Sequence, residues 1–117
     1  MNWEKASDWT LYSVHGKDIW QLSVDSLDQF AHVALNGDSA RDLMAGTAMM
    51  SDKKAPVWMG GFALSCRLDH RKRKLLVSSY GGFFYDAESK HWYQVAPERQ
   101  EEWLDYLADL AVAADNK

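Results

Sequence analysis

Apolar and polar positions alternate with period two along one stretch of this chain. Phe62, Leu64, Cys66 and Leu68 stand against Ala63, Ser65, Arg67 and Asp69, the pattern of a strand with one apolar face. Asp69 to Arg73 reads as a charged reversal, and Leu75 to Tyr80 as the returning partner strand. Gly81-Gly82 interrupts that strand as a bulge or sharp bend would. Phe83 to Asp86 continues it, Ala87 to Lys90 turns, and His91 to Val95 adds another strand. The stretch predicts an antiparallel meander.

Upstream, Trp9, Leu11 and Ser13 fall on one face of a strand, and Thr10, Tyr12 and Val14 on the other. His15-Gly16-Lys17-Asp18 reads as a turn and Ile19 to Val24 as the return strand of a hairpin. Helical spacing follows. Ser26 with Gln29 three residues on forms a capping box. Leu27, Phe30, Ala31, Ala34 and Leu35 make an apolar stripe, closed by Asn36-Gly37 as a left-handed cap. A second helix starts at Asp38 or Ser39 and runs to about Met50, weakened by Gly46 and Thr47.

The C-terminal segment gives the clearest helix. Pro97 suits a first helical position, where its missing N–H has no partner to lose. Trp103, Leu104, Leu107, Leu110 and Ala111 form the apolar stripe. A sheet with one apolar side needs a cover, so Trp103, Leu107 and Leu110 are expected on some of Leu64, Cys66, Leu75 and Val77. The predicted fold is one α+β domain over residues 1–117. An antiparallel meander of about four to six strands, N-terminal hairpin included, lies under the C-terminal helix, with one or two short helices after the first hairpin.

Composition narrows the class. The 117 residues are 47% hydrophobic and 26% charged, with a net charge of −4, which suits one globular domain. The lone cysteine cannot close an internal disulfide, so a disulfide-stapled scaffold is excluded. Apolar runs stay short of the roughly 18 residues a membrane span needs. The segment Met1 to Trp9 lacks the apolar core of a signal peptide. These features point to a cytoplasmic, reducing environment and to no membrane partner.

Catalytic chemistry finds little support. Cys66 alternates with Leu64 and Leu68 and reads as a small buried hydrophobe rather than a nucleophile. His15, His32, His70 and His91 stand singly, without metal-ligand spacing, so neither a metal nor another cofactor is expected. Gly81-Gly82 leads into a strand, not into a helix N-terminus that cradles phosphate.

Binding features are plentiful. There are six tryptophans, a residue type that anchors interfaces as well as cores. Met49, Met50, Trp58 and Met59 fall in or beside a long loop, where flexible methionines suit adaptable recognition. Arg67, Arg71, Lys72, Arg73 and Lys74 form a basic run against the single Asp69. It reads as a solvated hairpin tip rather than a nucleic-acid contact in an acidic chain. Glu101, Glu102, Asp105 and Asp109 make an acidic helix face that can steer a basic partner.

The function these features predict is a small cytoplasmic protein-binding module. An immunity- or antitoxin-type inhibitor of a partner toxin or enzyme is the natural subclass, and a homodimer is compatible with it. The acidic face Glu101, Glu102, Asp105 and Asp109 is the first expected contact; the loop carrying Met49, Met50, Trp58 and Met59 is the second. The rival reading is an enzyme or small-molecule binder with an aromatic pocket. Tyr80, Phe83, Tyr85, Trp92 and Tyr93 would line it, with His91 and Asp86 as acid–base candidates.

Overall fold

The computed structural model describes residues 2–14, 18–51, 56, 58 and 60–117. Among them are seven strands, β1 (Ser7–Tyr12), β2 (His32–Ala34), β3 (Ala48–Met49), β4 (Gly61–Leu68), β5 (Arg71–Ser78), β6 (Phe83–Asp86) and β7 (His91–Gln94). Two α-helices accompany them, α1 (Gly37–Met44) and α2 (Gln100–Asp115). The strands form one sheet in the order β2-β1-β4-β5-β6-β7-β3, every pair antiparallel. This is the expected α+β architecture, with a slightly larger sheet.

The meander forms where the alternation predicts it. Leu68 pairs with Arg71, so Asp69 and His70 alone make the turn. Both have left-handed backbones, φ 54° and 65°, the geometry that matches the twist of a two-residue hairpin. β5 therefore starts at Arg71, earlier than its apolar residues suggest. Gly81 and Gly82, with φ 81° and 67°, do not interrupt one strand. They reverse the chain, and β6 returns antiparallel to β5.

Both faces of the sheet are covered. Beneath the helices lie Trp9, Leu11, Leu64, Cys66, Leu75, Val77, Phe84 and Tyr93, joined by Trp103 and Leu107 in one apolar cluster, with Leu110 packed against it. Helix α2 lies closest to β1 and β2, where the Trp9 and Trp103 rings meet edge-to-face at 6.4 Å. Farther along the sheet, Trp3 covers Phe84 and Tyr93 at 5.4 and 5.3 Å.

The region between β1 and α1 departs from expectation. No return strand forms at Ile19 to Val24; residues 19–21 turn, and β1 pairs instead with β2 and β4. The reason is local. The carbonyls of Ile19, Trp20 and Leu22 accept from the Lys74 ammonium at 3.0, 3.4 and 2.5 Å, which takes the place of ladder partners. The His15–Lys17 part of the expected turn lies outside the described residues. The expected helix over Leu27 to Leu35 is also absent. Ser26–Gln29 makes one 3₁₀ turn, and the chain then extends into β2. Val33 and Leu35 are buried while His32 and Ala34 are exposed, so period two overrides the alanine-rich helical spacing. Ser26 donates its N–H to Ser23 Oγ at 3.2 Å rather than closing a box with Gln29. Asn36 does not end a helix. It starts α1, its Oδ1 accepting the Ser39 N–H at 3.0 Å. α1 stops at Met44, before left-handed Gly46, and β3 occupies part of the expected second helix.

Candidate functional site, an acidic groove between the two helices

The start of α2 is fixed at two points. The Gln100 amide donates to the Val95 carbonyl at 2.9 Å, and its side chain fills the space where a Cβ on Gly82 would sit, 2.5 Å from Gln100 Cγ. Trp103 and Leu107 then turn toward the sheet, both fully buried. That orientation leaves Glu101, Glu102, Asp105 and Asp109 exposed. Alpha1 stands alongside, tied by the Tyr106 hydroxyl, which accepts the Asn36 N–H at 2.8 Å.

Between the helices runs a groove of about 540 Å³ lined by Ser39, Leu43, Glu98, Glu101, Glu102, Asp105, Tyr106 and Asp109. All four carboxylates expected from the sequence line it. Glu98 joins them from four residues before Glu102, a spacing that puts it on the same stripe. The contribution of α1 depends on tertiary pairing and carries no sequence signal. Among the described residues, none of these five carboxylates forms an ion pair or a side-chain hydrogen bond. Glu101–Asp105 and Asp105–Asp109 are like-charge pairs one helical turn apart, each unfavourable by roughly 0.2–0.5 kcal/mol. The helix dipole favours acids only in the first turn, so Asp105 and Asp109 gain nothing from it.

The basic run is the opposite case. Arg67 approaches Asp8 at 3.5 Å, Arg71 binds Glu88 at 2.7 Å, Lys72 binds Asp28 at 2.7 Å, and Arg73 binds Asp86 at 2.8 Å. Lys74 is spent on the three carbonyls. The hydrogen bond from Lys72 holds the Asp28 carboxyl below its ordinary range, and the same bond raises the Lys72 ammonium. Burial lowers Lys74. Every cation of the run thus has an internal partner.

The other sequence candidates are dispersed. Met49 is 61% exposed on the short edge strand β3; Met50 is half-buried, its N–H donating to the Trp92 carbonyl at 2.8 Å. Met59 lies outside the described residues. Trp58 is drawn across the sheet to Trp20 and Trp92, at ring-centroid distances of 5.0 and 6.4 Å, and Tyr85 packs against those two rings at 5.2 and 5.1 Å. Trp58 crosses Gly61, where an added Cβ would meet its ring at 2.7 Å. Trp20 enters this cluster from the segment that replaces the expected strand, so no periodicity foretold it. Phe83 shares the face of Tyr85, but Tyr80 is 50% exposed and makes no ring contact among the described residues. Alternation along β7 puts His91 with Tyr93, on the face opposite Trp92. Asp86 is buried on that same helix side. It accepts from Arg73 and from the Ser89 hydroxyl at 2.7 Å. The acid–base candidates therefore share a face with buried Tyr93 but not with the cluster of Trp20, Trp58, Tyr85 and Trp92.

Cys66 is buried, and burial pushes its thiol up to about 12, which removes the thiolate that nucleophilic attack needs. Among the described residues no helix is long and apolar enough to cross a membrane, and no group of three or more His, Cys, Asp or Glu is placed to hold a metal ion. No family model, curated protein or solved structure matches this chain.

Proposed function

We propose that the protein is a small binding module whose groove between α1 and α2 takes a basic surface of a partner protein. The observation that carries this reading is an asymmetry of charge. The cations of the β4–β5 hairpin all have internal partners, whereas among the described residues five groove carboxylates are unpaired, at a cost to α2. Unpaired like charges gathered on one face raise the encounter rate with an opposite surface and exclude acidic partners. The same satisfaction of cations argues against a nucleic-acid partner, because phosphate contacts need cations free to release counterions.

Within this class, the reading favoured is an inhibitor of the immunity or antitoxin type, acting in the cytoplasm, which neutralises a toxin or enzyme by covering its basic site. Its acidic balance and free, buried cysteine fit that role. The test is affinity capture from the native cell with the wild-type chain and with the Glu102→Lys, Asp105→Lys, Asp109→Lys variant. The reading expects a protein with a basic surface retained by the wild type and lost by the variant. Equal retention by both would overturn it.

A further inference from the structure

Lys74 is 7% exposed, yet among the described residues its ammonium bonds no carboxylate. All three of its partners are carbonyls of one short segment, at Ile19, Trp20 and Leu22. That segment makes no ladder to the sheet. Among the described residues its other backbone bonds are internal: Gln21 N–H to the Asp18 carbonyl at 3.0 Å, and Trp20 N–H to Asp18 Oδ1 at 3.0 Å. Ile19 and Leu22 rest half-buried on the second apolar cluster, around Tyr12, Leu27 and Ala63. Trp20, 36% exposed, leans on Trp58, Tyr85 and Trp92. Beside it lies a cavity of about 400 Å³ whose walls include Val14, Ile19, Trp20, Trp58, Phe62 and Ala63.

We propose that residues 18–22 are a lid over the second face of the sheet, clasped by the Lys74 ammonium and latched by Trp20 in its aromatic nest. The lid opens as a unit while the sheet and helices stay folded. Two features distinguish it from ordinary covering structure. Its attachment is by side chains, an ammonium at one point and an indole at another. Its opening breaks no strand pairing, so the cost is local, as for segments that open below the global unfolding free energy. What opening exposes is the cavity and the apolar surface around Ala63.

The experiment labels the full chain with fluorotryptophan and assigns each resonance by single Trp→Phe replacement. In urea below the main transition, Trp20 and Trp58 signals should shift while those of Trp3, Trp9 and Trp103 stay native. Simultaneous change of all the signals would overturn the lid. Lys74→Met should give the open Trp20 position without urea, with Trp3 and Trp103 unmoved; a Trp20 signal left native would show that the clasp does nothing. Should Lys74→Met fail to fold, the urea series on the wild-type chain decides.

Discussion

Arg73 and Asp86 meet across β5 and β6 at 2.8 Å, with Asp86 fully buried and Arg73 nearly so. Asp86 also accepts from the Ser89 hydroxyl and the Glu88 N–H, while the guanidinium lies 6.0 Å from the centre of the Trp3 ring. Removing Asp86 takes its fully buried partner from the Arg73 guanidinium and leaves it the half-buried Glu88, 3.1 Å from Nε. Asp86→Ala should therefore cost about 3–5 kcal/mol, measured by urea unfolding. Adding Arg73→Met to that variant should recover part of the loss, because the cation goes too. A double variant whose cost equals the sum of the singles would show that the two residues act independently.

Trp103 is the largest side chain that α2 buries, and it meets Trp9 edge-to-face. Trp103→Ala should lower stability by about 3–5 kcal/mol, the range for a buried tryptophan truncated to alanine. A fully stable variant would contradict the role given to α2 as the cover of β1 and β2.

Cys66 ties stability to alkaline pH. An unfolded thiol ionises near 9.0, whereas burial holds the folded one to about 12. Between those values the folded chain binds more protons than the unfolded chain. The thiol's contribution is thus fully present below the lower value and is lost as pH rises through the upper one. Unfolding free energies of wild type and Cys66→Ala, compared on both sides of 9.0, should converge with rising pH. A difference independent of pH would show that the folded thiol ionises as readily as the unfolded one.

The groove carboxylates should be dispensable for folding. Replacing Asp105 by Asn relieves two like-charge contacts on α2 and should leave stability unchanged or raise it by roughly 0.5 kcal/mol. Thermal unfolding checks this; a marked loss would reveal a structural partner for Asp105.

The parts of the fold that could be read from the sequence share one property, agreement between local pattern and tertiary demand. Phe62 to Leu68 alternates and is a strand; Pro97 and the Trp103–Leu107 spacing make a helix. Leu27 to Leu35 failed because alanines fill the helical stripe while Val33 and Leu35 answer to the sheet. Ile19 to Val24 failed because its carbonyls are satisfied by Lys74, which lies more than fifty residues away in sequence. The acidic stripe was visible because its members sit on one helix. Its second wall, and the gathering of Trp20 with Trp58, Tyr85 and Trp92, come from elements distant in sequence.

Binding at the groove between α1 and α2 is tested by the association rate of the captured partner. It is compared for the wild-type chain and the Glu102→Lys, Asp105→Lys, Asp109→Lys variant, at low and at physiological salt. The variant should associate much more slowly, with the gap narrowing as salt screens the charges. Equal rates at low salt would place the contact elsewhere, with Met49 exposed on the β3 edge the next candidate.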